Sequence, residues 1–165
     1  MEFDQTDLRL LDLLQDDAAL SNQELAQRAQ TSPATALRRV RRLLEEGVIE
    51  RRVALLNPHR LGAGLTALVE VSLDRQGAEH LQAFEQHAVA DAAVQQCYRV
   101  SPGPDFMLVL HVSDMAAYHA LVQRLFTQDA NVRNVKAFFS VQRAKFDPRI
   151  VLSPRPAPVP TPTPA

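Results

Sequence analysis

Ser32-Pro33-Ala34-Thr35-Ala36-Leu37-Arg38-Arg39-Val40-Arg41-Arg42-Leu43 is the stretch that decides the fold of this chain. Serine is a favoured N-cap, and proline suits the first helical position, whose N–H lacks a helical acceptor in any case. The segment therefore predicts a sharply started helix. It should end near Glu46, with Gly47 fitting the left-handed residue that closes many helices. Leu37, Val40 and Leu44 recur at helical spacing and are expected to face inward. Arginines stand at 38, 39, 41 and 42. So much positive charge on one short helix points to a polyanion partner.

Upstream, Thr6 to Leu14 predicts a first helix, with Leu8, Leu11 and Leu14 on its apolar face. Asp16-Asp17 closes it. Ser21 and Glu24 form the reciprocal pairing of a capping box, so a second helix starts at Ser21 and buries Leu25, Ala26 and Ala29. Only a short turn separates it from Ser32. Two helices joined this tightly read as a helix-turn-helix whose second member is the recognition helix. Downstream, Val48 to Leu56 reads as extended, as in the hairpin or wing of a winged helix. Asn57-Pro58 breaks it, and residues 57–64 read as a linker made flexible by Gly62 and Gly64.

The second half changes period. Leu65, Ala67, Val69, Val71 and Leu73 alternate with Thr66, Glu70 and Ser72, a strand signal. Gly77 to Val89 reads as a helix burying Leu81, Phe84 and Ala88. Val94 to Val100 and Phe106 to Val112 read as strands around a Ser101-Pro102-Gly103-Pro104-Asp105 turn. Asp114 can cap a helix through about Phe126. Val132 to Phe146 reads as a last strand, with Val135, Ala137, Phe139 and Val141 on one face. The order β-α-β-β-α-β predicts a ferredoxin-like α+β sandwich. From Pro154 every second residue is proline, which excludes helix and central strand and predicts an extended, largely disordered tail. The expected domains are a helix-turn-helix at 1–56, a linker at 57–64, the sandwich at 65–147 and the tail at 148–165.

The chain has 165 residues, 46% of them hydrophobic, enough for a core, and a net charge of −1. That total hides an asymmetry: residues 1–24 hold seven acids against Arg9 alone, whereas arginines crowd residues 38–52. A nucleic-acid footprint needs a local basic patch, so the balanced total does not argue against DNA. Cys97 is the only cysteine, which excludes an intrachain disulfide and reads as strand core before redox sensor. No apolar run approaches the ~20 residues of a membrane span, and the acidic N-terminus is unlike a secretory signal. A soluble cytoplasmic protein is expected. His59, His80, His87, His111 and His119 lack metal spacing, and no nucleophile triad or glycine-rich phosphate loop stands out. Neither a metal, a cofactor nor a catalytic residue is expected.

A helix-turn-helix, a short linker and β-α-β-β-α-β together resemble the Lrp/AsnC family of transcription regulators. The resemblance is carried by Ser32-Pro33, Leu37 to Leu43, Gly47-Val48-Ile49, Leu55-Leu56-Asn57-Pro58, Cys97-Tyr98-Arg99-Val100-Ser101 and Asp114-Met115-Ala116-Ala117-Tyr118. It covers about residues 3–147. It implies a winged-helix type DNA-binding domain, a sensor domain that drives homodimerisation with further assembly to octamers, and amino-acid effectors bound between dimers. Two departures stand out. The turn before the recognition helix has Gln30-Thr31 where the family commonly has glycine and an apolar residue. The family's effector loop often reads Gly-Asp-Phe/Tyr-Asp, where this chain has Pro102-Gly103-Pro104-Asp105. The prolines stiffen the loop and remove two N–H donors.

The expected function is therefore sequence-specific binding of double-stranded DNA, regulated by an amino acid or related metabolite. Thr35 and Arg38 are the candidates for base contact, Arg39 and Arg42 for phosphate, and the Ser32 N–H for phosphate at the helix N-terminus. The alternative is a solvated arginine face paired with Glu45 and Glu46. Arg41 reads as a structural or linker-facing residue, and Arg51 and Arg52 as flanking-backbone contacts or a solvated hairpin. The resemblance places effector contacts at Ser101, Gly103, Asp105 and Phe106, with Asp105 facing an effector amine or simply capping the turn. A runner-up is an enzyme on this scaffold, similar to sirohaem decarboxylases, for which Arg99 and His111 are the only tempting pair. A third reading is a sensor module that does not bind DNA.

Overall fold

The computed structural model describes residues 3–61 and 64–152. The expectations for Gly62 and for the tail from residue 153 onward lie outside the described residues; residues 148–152, expected to belong to that tail, are described and make side-chain contacts, Arg149 pairing with Asp12. The chain divides into two compact units. Among the described residues, one combines the N-terminal segment up to Leu55 with residues 146–152, and the other is Leu56–Lys145.

The first unit is built on three helices. Helix α1 spans Gln5–Asp16. Asp4 caps it, one carboxylate oxygen accepting the N–H groups of Thr6 and Asp7 at 2.9 Å each. Helix α2 spans Asn22–Arg28, and the Ser21–Glu24 capping box is formed. Helix α3 spans Pro33–Glu45 behind the Ser32 cap, with proline in its first turn. Gly47 takes φ +70°. There the chain turns so that the Ile49 N–H reaches the Leu43 carbonyl at 3.0 Å, which satisfies one of the helix's last acceptors.

Leu10, Leu25, Ala26, Ala29, Ala36 and Val40 form the core of this unit. The register of α3 differs from the periodicity reading. Ala36, Val40 and Leu43 are its buried residues, while Leu37 is 51% and Leu44 39% exposed. The small Ala36 sits in one cluster with Ala26 and Ala29, a contact that a larger side chain would hold open. The α2–α3 turn carries Gln30 at φ +57°, a left-handed conformation that disfavours a β-carbon. Its side chain accepts a hydrogen bond from Arg9 at 3.1 Å. Residues 50–57 form no hairpin: no ladder involves them among the described residues.

The chain from Phe146 docks on α1. Arg149 pairs with Asp12 at 2.7 Å and also with Asp16. The Gln15 side-chain amide clasps the backbone of Ile150, donating to its carbonyl at 3.1 Å and accepting its N–H at 2.7 Å.

The second unit is an antiparallel sheet of four strands, β1 Leu65–Leu73, β2 Val94–Arg99, β3 Phe106–Val112 and β4 Val132–Phe139, in the order β2-β3-β1-β4. Helices α4 (Ala78–Ala90) and α5 (Met115–Val122) intervene, giving the ferredoxin-like arrangement. Asp114 caps α5 by accepting the Ala117 N–H at 2.8 Å. Alternation along β1 sends Ala67, Val69, Val71 and Leu73 into the core with Phe84, Phe106, Leu108, Leu110, Leu121 and Leu125. The last strand is shorter than its sequence pattern predicts. It stops at Phe139, and Val141 is fully exposed. Gly64 is not a flexible joint. A β-carbon there would lie 1.8 Å from the Val112 carbonyl oxygen, so only glycine fits against β3.

Candidate nucleic-acid interface

The placement of α3 follows from its N-terminus. The Ser32 hydroxyl accepts the Thr35 N–H at 3.2 Å and donates to the Thr35 hydroxyl oxygen at 2.8 Å. Thr35 thereby keeps its own hydroxyl proton for another acceptor. Asn22 at the start of α2 donates to the Pro33 carbonyl at 2.9 Å, fixing the two helix starts together. Ser32 is exposed and Thr35 half-buried.

The four arginines then divide into two faces. Arg39 and Arg42 turn back to α1. Arg39 Nη1 lies 2.6 Å from Asp4 and 3.0 Å from Asp7, and Arg42 Nη2 lies 2.7 Å from Asp7. Asp7 is only 2% exposed. Burial alone pushes its carboxyl up, but hydrogen bonds from Arg39 and Arg42 outweigh burial and hold it below the usual carboxylate range. The Asp4 N–H donates to the Asp7 carboxylate and the Asp7 N–H to that of Asp4, a reciprocal cap at the start of α1. The Arg39 guanidinium is held more firmly protonated by Asp4 and then Asp7, against the opposing effect of desolvation. A guanidinium bound between two carboxylates already has the bidentate partner that a phosphate would offer. The phosphate role read for Arg39 and Arg42 therefore competes with an ion-pair network that binds α3 to α1.

Arg38 and Arg41 lie on the other face, both exposed, with Ala34 and Leu37 beside them. Positions 34, 37, 38 and 41 share one side of a helix. Arg41 is legible in the sequence as an arginine but not as an outward one, because the leucine at 37 draws the inferred stripe a step out of register. The solvated alternative pairs the arginine face with Glu45 and Glu46. One such pair is present, Glu46 lying 3.6 Å from Arg42, and Glu45 is exposed.

The sensor-loop residues separate in the same way. Ser101 and Gly103 are exposed and Asp105 half-buried. Asp105 is woven into the sheet end: its carboxylate accepts the Leu73 N–H at 2.7 Å, its N–H donates to Val71 and its carbonyl accepts from Val100. Phe106, read as an effector contact, is instead fully buried, its ring 4.8 Å from that of Phe84. As the first residue of β3, it points to the helix-covered face of the sheet. Arg99 pairs with Glu85 at 2.6 Å and lies over the Phe106 ring.

Arg99 and His111 do not converge. Arg99 is opposite Phe106 in the β2–β3 ladder, and His111 lies five residues farther along β3, roughly 17 Å at strand rise. His111 instead lies 3.3 Å from the Thr66 hydroxyl. Cys97 packs against the core, and burial raises its thiol pKa, the opposite of what a reactive thiolate needs. Among the described residues no group of three or more His, Cys, Asp or Glu could hold a metal ion, and no helix is long and apolar enough to cross a membrane.

Comparison with known proteins matches both units. Residues 3–50 match the winged helix-turn-helix DNA-binding family, and residues 66–150 match the Lrp/AsnC ligand binding domain. An HTH-type transcriptional regulator of Haemophilus influenzae is 36% identical, over 90% of this chain and 89% of its own. The leucine-responsive regulatory protein of Escherichia coli K12 is 34% identical, over 93% and 94%. Among solved structures, an AsnC family regulator of Agrobacterium tumefaciens superposes with TM-score 0.83 at 31% identity, covering 91% of this chain and 97% of that one. A transcriptional regulator of Neisseria meningitidis, solved as a complex with L-Met, also gives 0.83 at 27% identity, covering 92% and 97%.

Proposed function

The chain belongs to the Lrp/AsnC family of DNA-binding, ligand-modulated transcriptional regulators, and from that premise we propose which of its residues meet DNA and which sense the ligand. The observation that carries the reading is the division of the arginines. Arg39 and Arg42 lock α3 onto α1, and the locked helix presents Arg38 and Arg41 outward. Thr35 and Arg38, in the N-terminal half of α3, meet base edges; Arg41 meets backbone phosphate; the helix N-terminus at Ser32 meets a second phosphate. A guanine contact from Arg38 contributes about 1–3 kcal/mol of discrimination.

The effector is an amino acid. Its class is supported by the Neisseria relative bound to L-Met. Ser101, Gly103 and Asp105 form the candidate rim, with Phe106 supporting the loop from the core. Because Asp105 already accepts the Leu73 N–H, it meets the effector amine with its position fixed in advance. The working species is a homodimer that assembles further. The open sheet face supports it: Leu68 is opposite Val109 and Phe138 in the ladders, and Met107 is opposite Tyr98. Leu68, Phe138 and Tyr98 are 42%, 43% and 54% exposed, an apolar patch suited to a second copy. Effector and DNA binding are then reciprocally linked. The protein acts in the cytoplasm, as a regulator and not an enzyme.

Selection of bound fragments from genomic DNA, with and without a panel of amino acids, tests this reading. Enrichment of one motif, altered by one of the amino acids, is the expected result. Recovery of unenriched sequence under every condition would remove the specific DNA role.

A further inference from the structure

Leu37 takes no part in the arginine network of α3. It is 51% exposed although it is a leucine in the middle of a short helix, and it belongs to no core cluster of its unit. Its neighbours on the same face are Ala34, which is small and exposed, and the cations Arg38 and Arg41. The flanking charge favours a polyanion over an apolar protein surface as the occupant. Position 37 also lies in the N-terminal half of the helix, the half that reaches base edges in this docking mode. On unmodified DNA the one apolar group on a base edge in the major groove is the thymine C5-methyl. Ala34 leaves room one turn earlier for a base pair to approach.

We propose that Leu37 reads a thymine C5-methyl in the major groove, beside the base read by Arg38. This rests on the DNA-binding reading above and adds a base identity to it. The methyl group is removed from water between the leucine and the groove floor, and cytosine or guanine at that position leaves the leucine without a partner. Arg38, one residue on, supplies the polar half of the same reading.

The test uses the full chain and a duplex selected by it from a random pool. Each thymine is replaced singly by deoxyuridine, which deletes only the methyl. The expected loss at one thymine per half-site is about fourfold in affinity, the value of one buried methyl-sized group. Leu37→Ala should bind the parent duplex more weakly and show no thymine–uracil difference there. Leu37→Met, which keeps an apolar side chain at this position, should retain a difference. A circular dichroism spectrum checks that the variants are folded. If no thymine is methyl-sensitive with the native chain, or if the sensitivity persists in Leu37→Ala, the assignment is overturned. A chain that binds no duplex at all would instead overturn the DNA-binding reading beneath it.

Discussion

Asp7 on α1 accepts a 2.7 Å hydrogen bond from Arg42 on α3 while remaining 2% exposed. The same carboxylate accepts from Arg39 through its other oxygen. A buried aspartate placed between two cations fixes the rotation of the recognition helix. It decides which arginines face outward, Arg38 and Arg41.

Asp7→Asn keeps the shape and removes the charge. It should destabilise the first unit by about 2 kcal/mol, the usual range for a hydrogen bond to a charged group, softened because Arg39 and Arg42 can turn partly to solvent. Urea unfolding monitored by circular dichroism checks it. The pH dependence gives a second readout. Asp7 titrates below its ordinary value of 3.8, so its contribution is full above about pH 4 and is lost as the pH falls through the lower folded value. The substitution should flatten that acid limb, and an unchanged limb would show that Asp7 does not carry it.

Gln30 holds φ +57° in the turn between α2 and α3. Replacement by glycine relieves a strain of about 1 kcal/mol, partly offset by the greater freedom of glycine in the unfolded chain. Gln30→Gly should therefore leave stability unchanged or raise the melting temperature by a few degrees. Gln30→Val, with a branched β-carbon, should lower it. Thermal unfolding of the two variants beside the native chain measures both.

Much of this fold is written in local chemistry. Ser21 with Glu24, Ser32 with Pro33, Gly47 and Asp114 mark ends that the chain itself determines, and each occupies its expected place. The alternation of β1 is equally legible, whereas β3, Phe106–Val112, is apolar at nearly every position and its sequence does not show which face is buried. The rotation of α3 is not. Periodicity ranks leucine above alanine for burial, yet Ala36 is inside because α2 presents Ala26 and Ala29 to it, and Leu37 is outside. Arg39 faces inward because of an aspartate over thirty residues away, which no pattern within the helix encodes. Phe106 misleads as a site residue for a related reason. Its position next to the loop is visible in the sequence, but the alternation along β3 aims it into the core.

Gly64 lies where a β-carbon would overlap the Val112 carbonyl. Gly64→Ala should cost about 1–3 kcal/mol, the range for overpacking, because backbone and not a movable side chain must yield. Thermal unfolding measures it. A variant of native stability would show that the chain before β1 has another path.

Arg149 and Gln15 fasten the chain after Phe146 to α1. With both replaced by alanine, the Ile150 amide has no side-chain acceptor and the segment has no ionic anchor. Hydrogen exchange at Ile150 should accelerate about tenfold, the effect of removing a hydrogen bond of about 1.4 kcal/mol, while α2 amides keep their protection. Equal acceleration throughout α1 and α2 would mean that the segment supports the whole unit.

The central claim is that the outward arginines hold DNA and the inward ones hold the helix. Equilibrium binding to a selected duplex, titrated from low to moderate salt, compares Arg38→Ala/Arg41→Ala with the native chain most directly. The account predicts weaker binding and a salt slope reduced by about 0.9 for each phosphate that the variant no longer neutralises. A double variant with native affinity and native salt slope would contradict it.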